Sequence, residues 1–154
     1  MKKDFYDFGL IGLGVMGRNF ILNVADNNFK ALGKQVFEAA YQKGIRYYDT
    51  APGYGLAEAL LLDWVKEKND PNLEVATKWG YVYTANFDPK ATVHEIKEHS
   101  LEVLTRQWNF SQQLLPYVST LQIHSATFET GVLQNQSVLN ELARLHTEYG
   151  MKIG

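Results

Sequence analysis

The chain has no cysteine. Disulfides, thiol nucleophiles and thiolate metal sites are excluded together, and the absence fits a reducing compartment. It also has no excess of one charge. Lys and Arg number 15 against 17 Asp and Glu, a net charge of −2, so nothing draws it generally to nucleic acid or to an acidic membrane surface. No apolar run approaches the ~18 residues of a membrane span. Asp4 and Asp7 interrupt the residues after Met1-Lys2-Lys3, where a signal peptide would need an apolar core. These absences predict a soluble, cytoplasmic protein with neither nucleic-acid nor membrane partners.

What is present is globular: 45% hydrophobic, 21% charged and 13% aromatic residues in a chain of 154. That length permits one domain and a real core, burying roughly 68–70% of the unfolded surface.

The organising stretch is Ile45-Arg46-Tyr47-Tyr48-Asp49-Thr50-Ala51-Pro52-Gly53-Tyr54. Ile45, Tyr47 and Tyr48 are strand formers that follow a helix closed by Gly44. Ala51-Pro52-Gly53 cannot continue the strand. Asp49 is therefore expected at a strand's C-terminal end, with the Tyr54 phenol on the loop above it. In parallel α/β folds that edge is where reactive groups collect. A polar strand cap and a surface tyrosine would read the same way from these residues alone.

Alternation continues downstream. Leu32, Val36, Phe37, Ala40 and Tyr41 fall at helical spacing. A helix over Glu58–Lys68 leads to a strand at Leu73–Thr77, with Lys78 at its end. Asp88-Pro89 opens a helical stretch predicted over Ala91–Leu104, then a strand at Val118–Ile123 with His124 at its end. A helix over Gln134–Tyr149 precedes the opening of a further strand at Met151–Gly154. Strand and helix in turn predict a parallel sheet. Three successive strands would bring Asp49, Lys78 and His124 to one edge, beside Tyr54. His94, His99 and His146 fall on helical stretches and read as surface residues. His94 and His99 are five apart, not the i,i+4 spacing of a helical metal pair, and no metal site is expected. Trp64, Trp79 and Trp108 read as packing residues.

The N-terminal residues carry a different motif. Phe8–Leu13 reads as a short buried strand, Gly12-Leu13-Gly14-Val15-Met16-Gly17 is a complete G-x-G-x-x-G, and Arg18–Asp26 reads as a helix. In that context Gly12 permits the tight turn, Gly14 lets a pyrophosphate approach the backbone, and Gly17 lets helix and strand pack closely. No second strand with a ribose-reading residue follows. A glycine turn kept for packing is the alternative reading.

Two resemblances attach to these motifs. Residues 9–19, with Asn23-Val24-Ala25-Asp26-Asn27, resemble the N-terminus of 6-phosphogluconate dehydrogenase, an NADP-binding Rossmann dehydrogenase. That implies a Rossmann-like strand–turn–helix over about residues 1–30, with Gly12, Gly14 and Gly17 as cofactor-binding residues. Residues 31–154 resemble the aldo-keto reductases. The resemblance rests on Asp49-Thr50-Ala51-Pro52-Gly53-Tyr54-Gly55 with Glu58, on Ala76-Thr77-Lys78-Trp79-Gly80, on Leu121-Gln122-Ile123-His124, and on the stretch from Gly131-Val132-Leu133 to Gly150–Gly154. It implies the N-terminal half of a (β/α) TIM-type barrel, about four to five strands, forming one folded unit with the first segment.

It implies a chemistry as well. Tyr54 would be the general acid of an NADP-dependent carbonyl reduction, and Lys78 would stabilise its phenolate. Asp49 would hold Lys78, and His124 would orient the carbonyl of a small-molecule substrate. An ordinary phenol, with a pKa of about 10, donates poorly at neutral pH without such help. In this family the residues gripping the cofactor lie mostly on later strands, and a full barrel takes typically ~250 residues. The expectation is therefore double. One reading is a reductase, its cofactor held at the glycine turn. The other is a truncated or chimeric α/β piece without catalysis, which binds at most a phosphate or self-associates through open sheet edges.

Overall fold

The computed structural model describes residues 29–85, 88 and 90–154. The Phe8–Leu13 strand, the Gly12–Gly17 turn and the helix expected after it lie outside the described residues. Chain order is α1 (Phe29–Gln42), β1 (Tyr47–Asp49), α2 (Ala57–Lys68), β2 (Glu74–Trp79), β3 (Tyr81–Tyr83), β4 (Glu95–Lys97), α3 (Leu101–Ser111), β5 (Val118–Ile123), α4 (Gln136–Tyr149) and β6 (Lys152–Ile153). Strands β1, β2, β5 and β6 form one parallel sheet in that order. This is the parallel α/β arrangement expected from the alternation.

The helices dock through one side of the sheet. Phe37 of α1, Tyr48 of β1 and Trp64 of α2 are all buried, with ring centroids 5.0–6.0 Å apart in tilted or edge-on pairs. Gly33 lets α1 approach α2 closely; a Cβ there would lie 2.2 Å from Leu60. Along β2, Val75, Thr77 and Trp79 are buried. They share one face by strand alternation, and Val103, Leu104 and Trp108 of α3 belong to the same core.

The opposite face of the sheet is largely polar, apart from the buried Ala76 of β2. Alternation and register place Asp49, Glu74, Lys78, Gln122 and Lys152 there. A register shift between Val75 and Ala76 adds Ser119, whose hydroxyl donates to Glu74 Oε2 at 3.0 Å, and Lys152 Nζ lies 3.7 Å from the same oxygen.

One predicted element is replaced. The helix expected over Ala91–Leu104 is a strand, β4, antiparallel to β3, followed by α3 from Leu101. Val93 and Ile96, within the predicted helix, are about half exposed, at 54% and 50%. The helix begins where its cap is: Ser100 Oγ accepts from the Val103 N–H at 3.3 Å. The apolar residues this helix buries are Val103, Leu104 and Trp108.

Glu58 ties three elements together. It is 1% exposed, and its Oε1 accepts from Thr77 Oγ1 of β2 at 2.7 Å and Ser111 Oγ of α3 at 2.8 Å. Burial pushes its carboxyl up from 4.5 to about 7, against the opposing pull of those two bonds and of Lys78. The folded state thus holds a proton that the unfolded chain releases. The stability this gives is full below about pH 4.5 and is lost as pH rises through about 7. Urea unfolding should therefore show roughly 2–3 kcal/mol less stability from this group at about pH 8 than at about pH 5. Glu58→Gln keeps the acceptor and should flatten the difference; an unchanged pH dependence in that variant would contradict the assignment.

Candidate active site

Strands β1, β2 and β5 each deliver one polar group to the same edge. Asp49 is the last residue of β1. Lys78 is the penultimate residue of β2. His124 directly follows β5 and is fixed to β2, its N–H donating to the Trp79 carbonyl at 2.9 Å. Tyr54 comes from the 3-10 turn Pro52–Tyr54, closed by its own N–H to the Ala51 carbonyl at 3.0 Å. Pro52 presets that turn. Gly53 lets it lie against the Tyr81 backbone, 3.1 Å from where a Cβ would stand. Gly55, at φ +66 and ψ −116, turns the chain into α2 in a conformation that excludes a side chain.

The four side chains stand together. The Lys78 ammonium pairs with Asp49 Oδ2, and both side chains are largely buried, 13% and 12% exposed. The same Nζ donates to the Thr50 carbonyl at 3.3 Å and lies 5.1 Å from the centroid of the Tyr54 ring. His124 meets Tyr54 edge-on at 5.6 Å between ring centroids, and Tyr81 flanks its ring at 4.6 Å. Burial holds His124 below the ordinary imidazole value. The Lys78 ammonium pushes it the same way, while Asp49 opposes. A neutral imidazole, a carboxylate-held ammonium and a phenol thus share one polar cluster. It can give a proton to an oxygen placed between Tyr54 and His124 and leave the resulting phenolate beside a fixed cation.

The structure adds residues whose roles the sequence did not signal. Gln107 of α3 clamps the turn after β2: its Oε1 accepts from the Gly80 N–H at 2.9 Å and its Nε2 donates to the Tyr81 carbonyl at 2.7 Å. His99, expected on a helical surface, is half-buried in the loop before α3, its Nε2 2.9 Å from the His124 carbonyl. His146 does lie exposed on α4, its Nδ1 2.8 Å from the Met151 carbonyl. The tryptophans expected in packing roles are buried, at 3%, 1% and 2% exposure for Trp64, Trp79 and Trp108. The Ser100 cap was the available signal that would have moved His99 off the helix.

A histidine NMR titration should place the His124 midpoint below the free-imidazole value of about 6.5. Lys78→Met should raise it, since a repelling cation is removed, without restoring the free value, since burial remains. A midpoint at or above the free value, or one indifferent to Lys78→Met, would contradict this electrostatic reading.

Comparison with known proteins agrees with the fold and the motifs. A D-threo-aldose 1-dehydrogenase of a Pseudomonas species is 34% identical over 110 residues, 66% of this chain and 33% of that protein. Pyridoxal 4-dehydrogenase of Microbacterium luteolum is 28% identical over 131 residues, 71% of this chain and 38% of that protein. The crystal structure of a candidate aldo-keto reductase from Pseudomonas aeruginosa superposes with a TM-score of 0.65 at 21% identity, covering 81% of this chain and 48% of that one. The chain thus spans about a third of the curated relatives and about half of the solved structure. No comparison supports the likeness of the first 30 residues to 6-phosphogluconate dehydrogenase. Among the described residues no helix is long and apolar enough to cross a membrane. Residues 11–150 match the Aldo/keto reductase family, a span that takes in the glycine turn, and the chain belongs to that family of oxidoreductases.

Proposed function

We propose that this chain carries the acid–base machinery of an NADP-dependent carbonyl reductase, with Tyr54 as the proton donor. The observation that supports it most is the Lys78 ammonium, held by Asp49 and set 5.1 Å from the Tyr54 ring centroid. Tyr54 gives its O–H proton to the carbonyl oxygen as the carbonyl carbon becomes an alcohol carbon. The phenolate left behind is stabilised by Lys78 and takes its next proton from water. Asp49 holds Lys78 in place. His124, kept neutral by burial and by Lys78, donates an N–H to the same substrate oxygen and fixes its direction.

This set supplies a proton and no hydride, so it fits a site that works with a bound reductant. A nicotinamide cofactor supplies the hydride when bound. Gly12, Gly14 and Gly17 are the residues proposed to hold its pyrophosphate through their backbone N–H groups. The substrate is proposed to be a small, polar aldehyde. The relatives named for an aldose and for pyridoxal favour that class, as does the polar sheet face below the site. Run in reverse, the Tyr54 phenolate would take the proton of an alcohol.

The test is NADPH binding, followed by fluorescence and calorimetry, with turnover on short aldehydes. Binding that Gly14→Val abolishes is expected. Tyr54→Phe should lower the turnover by about 10²–10⁴-fold, the usual contribution of a positioned acid, with cofactor affinity unchanged. No binding at millimolar NADPH would overturn the reading and favour an α/β piece without catalysis. Turnover that survives Tyr54→Phe would remove Tyr54 from its role.

A further inference from the structure

We infer that His99 is a positioning residue for His124, fixing the main chain from which the His124 imidazole projects; the inference rests on the role proposed for His124 above. His99 comes from a different element, the loop between β4 and α3.

The chemistry of the contact sets its direction. His99 Nε2 lies 2.9 Å from the His124 carbonyl oxygen. A carbonyl can only accept, so Nε2 carries the hydrogen. The other ring nitrogen, Nδ1, is buried and has no hydrogen-bond partner among the described residues. A hydrogen on Nδ1 would be buried without an acceptor, so the Nε2–H tautomer is the one this environment stabilises.

Both backbone groups of His124 are then held, by different strand-end elements. Its N–H donates to the Trp79 carbonyl at 2.9 Å, and its carbonyl accepts from His99. The two anchors are joined, because the His99 ring packs edge-on against Trp79 with centroids 5.4 Å apart at 74°. The chain makes room for this ring. Gly80 follows Trp79 at φ +113, and a Cβ there would fall 2.2 Å from the His99 ring. Directly after His124, Ser125 stands at φ +56, a left-handed conformation uncommon for serine. The His99 bond is made to the carbonyl of the peptide that joins His124 to that residue, so it restrains the chain at this left-handed turn.

The test reads His124 without cofactor or substrate, so an inactive protein would not obscure it, and failure of the reductase reading remains a separate result. In the wild-type protein, long-range ¹⁵N–¹H correlation of the histidine rings should show His99 with its hydrogen on Nε2. In His99→Phe, which keeps a ring against Trp79 and loses the donor, the His124 ring resonances and titration midpoint should move. Those of His146 should not. His99→Gln, whose side-chain N–H₂ can reach the carbonyl, should return His124 toward its wild-type values. A wild-type His99 with its hydrogen on Nδ1 would overturn the inference, whether or not the phenylalanine variant folds. So would a folded His99→Phe protein whose His124 titrates as before.

Discussion

The candidate site depends on the ion pair between Asp49 and Lys78. Both groups are largely withdrawn from water, where each alone would carry a desolvation cost of several kcal/mol, of the order set by ion transfer into a protein interior. Together they satisfy one another across adjacent strands, and the Thr50 carbonyl takes a further hydrogen of the ammonium. The pair fixes a positive charge at the end of β2. Burial first, and that charge second, hold His124 toward its neutral form, and the ammonium lies 5.1 Å from the Tyr54 ring centroid. The same cation acts weakly through the sheet on Glu58, whose proton affinity burial nevertheless dominates.

Position on the sheet explains why the pair forms at all. β1 and β2 are parallel and in register from Tyr47–Glu74 to Asp49–Ala76. Lys78 stands two residues beyond Ala76 on the same face, and its long side chain reaches back across that step. A short carboxylate at a strand end and a long ammonium one step further on suit each other. The polar face below continues the pattern with Glu74, Ser119 and Lys152. The interior of a TIM barrel is commonly filled with branched apolar residues. Here the described part of that face is built for water or polar contacts.

Much of this was readable from the residues in order. Parallel strands with polar ends follow from helix stops at Gly44 and Asn69-Asp70-Pro71, from β-branched and aromatic runs, and from the Ala51-Pro52-Gly53 break. Those signals are local and strong. The β3–β4 pair was not readable in the same way, because Val93 and Ile96 stand three apart and mimic a helical stripe. Only pairing with Tyr81–Tyr83 across the Gly80 turn makes that segment a strand, and pairing is not a local property. The roles of His99 and Gln107 are equally non-local: both bind backbone groups that lie 25–27 residues away along the chain. Glu58 was quoted as part of a motif, but its burial between Thr77 and Ser111 needed three elements in place.

The most direct test of the account is a double-mutant cycle on the pair at its centre, using Asp49→Asn, Lys78→Met and the double variant in urea unfolding at neutral pH. If the pair is the organising interaction, each single change leaves a partner stranded in a poorly solvated place. The double change should then cost less than the sum of the two, with a coupling of about 1 kcal/mol or more. Additivity to within about 0.5 kcal/mol would mean that Asp49 and Lys78 do not hold one another, and the site would have to be rebuilt around a different contact.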